Sequence, residues 1–174
     1  SSSEYLRYIK QIEITSARGK TKRLPIGIAY RVDSANGGGI LPIDDARTFI
    51  YFPAEKERSN LKFHINAPFS ATVARDSIRD CDDNRRLMEQ VAELVVATLG
   101  DIKRRGLIST SFYAVMPNNF DVLGEMYDPI RKAVFSAFED GEYLVAKGGG
   151  FLRASKAMVG SRVLSDAIGE AALE

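Results

Sequence analysis

The chain has 174 residues, 45% of them hydrophobic and 27% charged, which excludes wholesale disorder and fibrous repeats and suits about one globular domain. Lys and Arg total 24 against 23 Asp and Glu, a net charge of +1, so no broad electrostatic field for nucleic acid exists and no nucleic-acid partner is expected. One cysteine (Cys81) and one histidine (His64) exclude a disulfide framework and zinc centres built from several of either residue.

Taken in order, Tyr5 to Ile14 alternates (Leu6, Tyr8, Lys10, Ile12, Ile14), the period of a half-buried strand. Ser16 to Arg23 is polar, with Gly19 and the basic set Arg18, Lys20, Lys22 and Arg23, and reads as a solvated turn or loop. Ile26 to Val32 is a second strand, broken by Asn36-Gly37-Gly38-Gly39. Thr48 to Phe52 reads as a third strand closed by Pro53, and Leu61 to Ile65 as a fourth. With Glu55 to Asn60 as the turn, these two are expected to form an antiparallel hairpin.

The second half is mainly helical. Asp82 or Asp83 caps a helix running to about Arg105, with Leu87, Val91, Leu94, Val95 and Ile102 on one side and Gly106 as its stop. Ile108 to Val115 is apolar and β-leaning, and its state is open between strand and helix. Asp128-Pro129 starts a further helix carrying Ile130, Val134, Ala137 and Phe138 and ending at Asp140-Gly141. Tyr143 to Ala146 reads as a short strand and Gly148-Gly149-Gly150 as a second flexible hinge. No apolar run is long enough to cross a membrane and no signal-peptide pattern opens the chain, so a cytoplasmic location and no membrane partner are expected.

Strands followed by helices predict an α+β sandwich, a mostly antiparallel sheet of four to five strands covered by helices. The expected core is Ile28, Phe49, Tyr51, Phe63, Ile65, Phe69, Leu87, Val91, Leu94, Val95, Ile130 and Val134. Residues 1–117 form a β-rich segment holding the long helix 82–105, and residues 118–174 a helical continuation of the same domain. The chain opens Ser1-Ser2-Ser3 without methionine, and Leu164, Ile168 and Ala171 keep a helical period near its end, so the sequence reads as a piece of a longer polypeptide truncated at both ends.

Few residues promise chemistry on their own. Neither glycine run has the spacing of a dinucleotide fingerprint or a phosphate-binding loop. His64 has no second histidine or nearby cysteine and reads as a packed or surface strand residue, and Cys81 lies among Asp80, Asp82 and Asp83, a poor setting for a nucleophile. Those aspartates read as a solvated cluster at a helix start rather than a cation site. The chain itself is expected to bind no cofactor and no metal.

The informative stretch is Phe63 to Asn84, FHINAPFSATVARDSIRDCDDN, in which a strand leads through small and apolar residues to Arg75-Asp76, then Ile78, then a long helix. It resembles the middle domain of the ninety-kilodalton heat-shock chaperones, where an Asn-Ile-Ser-Arg-Glu run precedes such a helix; Thr72-Val73-Ala74-Arg75-Asp76 stands in its place here. It is more similar to sacsin-like proteins, in which a GHKL-type ATPase domain precedes this segment, through Phe52-Pro53, Phe63-His64-Ile65-Asn66, Phe69, Arg75 and Asn84. The resemblance covers about residues 26–117, departing at Ala74 and Asp76 where the chaperones carry Ser and Glu. It implies a middle-domain-like fold and a catalytic role for Arg75, reaching the terminal phosphate of ATP bound, with Mg, on an upstream ATPase domain. The ATPase domain's own motifs are absent from these residues, so the chain alone is expected neither to bind ATP tightly nor to hydrolyse it.

The resemblance thus implies a non-catalytic transducer module of a larger chaperone-like ATPase, with the upstream ATPase domain and a client protein as partners. On the residues alone Arg75 instead pairs with Asp76 or Asp80, or lies in water. The alternative function is a protein-interaction domain unconnected with ATP, using a strand edge or Phe112, Tyr113 and Phe120. A DNA-binding module related to mismatch-repair ATPases is disfavoured by the +1 charge.

Overall fold

In a computed structural model, residues 4–15, 19–33, 38–146 and 148–156 are described; the readings made for Ser1–Ser3, Arg18, Asn36-Gly37 and the Leu164, Ile168, Ala171 period lie outside them. The order of elements is β1 (Glu4–Thr15), β2 (Thr21–Asp33), β3 (Gly39–Leu41), β4 (Thr48–Phe49), β5 (His64–Asn66), α1 (Asp82–Arg104), α2 (Thr110–Val115), α3 (Asp128–Asp140), β6 (Leu144–Val145) and β7 (Phe151–Leu152). Helix and sheet are segregated along the chain, and the fold is α+β. The chain divides into two compact units, Ser1–Val134 and Phe135–Glu174.

The first unit is built on a sheet of order β1-β2-β5-β4, with β3 pairing beside β5 along β2. β1 and β2 form one long antiparallel ladder, from Glu4 opposite Val32 to Thr15 opposite Thr21. Alternation decides its faces. Ile12, Ile26, Ile28 and Tyr30 are buried, while Ile9, Gln11 and Glu13 between them are exposed. α1 lies on the buried face: the Tyr30 hydroxyl meets Thr98 Oγ1 at 3.3 Å, Tyr8 donates to Asp101 at 2.8 Å, and the Lys10 ammonium reaches Glu93 at 3.2 Å. Asp101 also accepts from Arg105 at 2.6 Å, and burial and this carboxylate raise the Tyr8 hydroxyl to about 12.

The expected β4–β5 hairpin is not what forms. β4 and β5 are parallel neighbours, Thr48 opposite Ile65 and Phe49 opposite Asn66. The strand stops at Phe49 because the chain folds back at once: the Ile50 amide donates to Phe52 O at 3.0 Å and the Ala54 amide to Thr48 O at 3.0 Å. Tyr51, expected in the core, is therefore 76% exposed, and Phe49 is half-buried. The other ten core residues are buried.

α1 begins one residue earlier than a capping aspartate would place it. Cys81 holds the extended N-cap position without a side-chain bond, and Asp82 and Asp83 occupy the first turn, where carboxylates suit the helix dipole. Gly106, at φ +69°, ends the helix, with its amide on Lys103 O and the Leu107 amide on Ile102 O. The ambiguous Ile108–Val115 run resolves as α2, because Ser109 caps it by accepting from the Phe112 amide at 3.3 Å.

In the second unit, β6 and β7 form a short antiparallel hairpin, and the Phe138 and Tyr143 rings lie 5.7 Å apart. Gly149 and Gly150, read as a hinge, form its turn at φ +88° and +80°, where a side chain would be strained.

Candidate functional site

Between β5 and α1 the chain makes a tight, braced loop with Arg75 at its tip. Ala71 bridges Ile78 in antiparallel fashion, the Thr72 amide donates to Ser77 O at 3.0 Å, and the Arg75 amide returns to Thr72 O at 2.9 Å. Closing so short a turn puts Arg75 in the left-handed region at φ 59°, a conformation costing a non-glycine residue about 1 kcal/mol or more. The tip is open: Val73, Ala74 and Arg75 are all exposed.

Three anchors hold the loop. Asn84, fully buried in the first turns of α1, accepts from the Ser70 amide at 2.8 Å and donates to Ser70 O at 2.8 Å and Arg79 O at 2.6 Å, clamping both ends. Asp76 pairs with the Lys56 ammonium at 2.7 Å and accepts from the Thr72 and Ser77 hydroxyls, and Lys56 above all holds its carboxyl below the usual range. Glu57 accepts from the Ile78 amide at 3.0 Å with one oxygen and from the Tyr127 hydroxyl at 2.9 Å with the other. Tyr127 in turn meets the buried Thr48 hydroxyl at 2.8 Å; burial, then the Glu57 charge, push its phenol well above the ordinary range.

Arg75 pairs with neither expected acid. Asp76 is taken by Lys56, and Asp80 by Arg85 at 2.7 Å. Among the described residues its guanidinium has no hydrogen-bond or ion-pair partner. Chemically, the loop offers a rigid fork of five donors on a fixed stalk.

The remaining candidates are placed elsewhere. Asp82 faces Arg85 at 3.4 Å, and Asp82 and Asp83 are exposed. Phe112, expected on a partner surface, is fully buried in the core, Tyr113 is half-buried, and Phe120 is 95% exposed. Arg23 pairs with Glu13 across the β1–β2 ladder at 3.1 Å.

His64 lies on the sheet face turned away from α1, its ring 5.7 Å from Tyr5 and 5.6 Å from Phe49. Its Nδ1 accepts from the Arg47 amide at 2.9 Å, and burial holds its pKa below the ordinary 6.5. A histidine with a lowered folded pKa contributes stability that is complete above about pH 6.5 and is lost as pH falls below it, because the unfolded chain takes up the proton first. Urea midpoints at pH 7.5 and 5.5 are expected to drop further for the wild type than for His64→Gln; equal drops would show that the imidazole does not resist protonation.

The clamping role of Asn84 was not anticipated. Its signal was present: Asn84 stands in phase with Leu87, Met88 and Val91 on the buried face, a polar residue where the pattern asks for an apolar one. Lys56, Glu57 and Tyr127 come from distant segments and carry no local mark. No family model, no curated protein and no solved structure matches the chain.

Proposed function

We propose that this chain is a transducer module of a larger, chaperone-like ATP-driven protein of the cytoplasm, with Arg75 presented to the phosphate chain of ATP and Mg held on a docking ATPase domain. The observation that carries this reading is the pairing of opposites at one loop: the tip is fixed by Asn84, Asp76 and Glu57, yet its arginine is left exposed and unpaired in a strained conformation. An arginine held for its own chain's stability would take a nearby acid, and Asp76 is adjacent. A guanidinium keeps its charge at any working pH and can meet two phosphate oxygens at once, stabilising charge that develops on a transferring phosphoryl group. When the ATPase domain moves away the arginine leaves with the loop, so turnover depends on docking.

The test is ATP turnover by the full-length protein carrying this chain, with nucleotide affinity measured alongside. Arg75→Ala is expected to lose about a hundredfold or more in turnover with affinity intact. Arg75→Gly is expected to lose as much while keeping thermal stability, since glycine adopts φ 59° without strain. Unchanged turnover in a protein that hydrolyses ATP would remove Arg75 from the reaction.

A further inference from the structure

The sheet face opposite α1 carries a groove of about 470 Å³, within the range of small-ligand sites. Its floor is made by the two smallest side chains of β2, Gly27 and Ala29, which lie opposite Ile9 and Arg7 in the ladder with β1. Tyr5 and Ile9 stand on one side, and His64, Phe49 and Tyr51 on the other. Because Ala29 is so small, the Tyr5 and His64 rings come within 5.7 Å of each other across it, and Phe49 closes edge-on behind His64 at 77°. The three rings thus join into one aromatic wall across Ala29, with the low floor at Gly27 open beside it, a shape for the face of a planar ring.

Its charged lining is positive. Among the described residues no Asp or Glu lines the groove, and its one fully charged lining residue is Arg7; Asp45, whose charge reaches His64 from outside the lining, is paired with Arg47 at 3.0 Å. Arg31, opposite Tyr5 in the ladder but outside the lining, has an enclosed Nε with no hydrogen-bond partner among the described residues. His64 Nδ1 is occupied by the Arg47 amide, so the neutral ring carries its proton on Nε2 and offers a donor. A lining cation and a ring donor, with the Asp45 carboxylate already paired to Arg47, favour an anion.

We infer that this groove binds a small planar aromatic acid, the ring lying over Gly27 against the joined wall of Tyr5, His64 and Phe49, the carboxylate held by Arg7. This site is separate from the Arg75 loop and does not depend on the function proposed for it.

The chain's one histidine gives a clean readout, since the His64 ring has its own proton–carbon signals in magnetic resonance spectra. Titration with 2-naphthoate is expected to shift those signals saturably, with a midpoint of about 1 mM or tighter for so small a ligand. Ala29→Leu, on a half-exposed face away from the core, is expected to abolish the shift by filling the floor. Arg7→Gln is expected to weaken 2-naphthoate about threefold to fivefold and leave neutral 2-naphthamide unchanged. No saturable shift at 10 mM ligand, or the same shift in Ala29→Leu, overturns the site. Equal effects of Arg7→Gln on acid and amide overturn its preference for an anion. A His64 shift that follows protein concentration without naphthoate would make the occupant a second copy of the chain and overturn the small-ligand assignment.

Discussion

Replacing Asn84 by alanine is expected to destabilise the fold by about 3–4 kcal/mol. The side chain makes three hydrogen bonds, and alanine restores none of them. Each is worth about 1 kcal/mol net, and the Ser70 amide and two carbonyls are left in a partly buried place that water enters only at further cost. Urea unfolding followed by circular dichroism measures the loss, and amide exchange locates it: the Ser70 amide should exchange much faster while the β1–β2 ladder stays protected. Asn84→Asp sharpens the result. A carboxylate still accepts from the Ser70 amide but sets negative charge against Ser70 O and Arg79 O, so it should be at least as damaging at pH 7 and partly recover on acidification. A cost under about 1 kcal/mol for Asn84→Ala would mean that the loop is held without its clamp.

Phe63→Ala is expected to cost about 3–5 kcal/mol, the range for a fully buried aromatic side chain. Phe63 packs 5.2 Å from the Tyr30 ring, and Tyr30 in turn meets Phe112 of α2 at 6.5 Å and Thr98 of α1. Removing the Phe63 ring leaves a cavity beside a tyrosine whose hydroxyl is already committed to Thr98, so the neighbours cannot collapse freely into the space. Phe63→Leu, which keeps most of the volume, should cost about 1–2 kcal/mol. Equal losses for the two variants would mean that shape, not volume, governs this part of the core.

How much of this was legible in the sequence follows from the range of the forces involved. β1, β2 and α1 announced themselves because a half-buried strand or helix writes its face into its own residues. β4 failed for the opposite reason. Thr48 to Phe52 has strand-like residues, but what decides its path is a turn closed by Phe52 O and Thr48 O, and a pairing with β5 whose direction no local residue encodes. α2 hid behind β-branched and aromatic residues and needed its Ser109 cap to be weighed more heavily. At the candidate site, Arg75 was singled out only by a resemblance, whereas Lys56, Glu57 and Tyr127, which brace its loop, are gathered only by the fold.

The β1–β2 ladder has a consequence for how the chain is made. Its two strands are joined directly in sequence, so they can pair as soon as both have left the ribosome. The face they then present, with Ile12, Ile26, Ile28 and Tyr30, has no helix on it until α1 is made, whose last residue is Arg104. At a synthesis rate of about 5–20 residues per second, the roughly 70 residues between them take about 4–14 seconds. For that interval each nascent chain carries a twisted, apolar sheet surface with no helix to close it. Polysomes crowded with such chains are where this protein is most exposed to aggregation, whatever the stability of the finished fold.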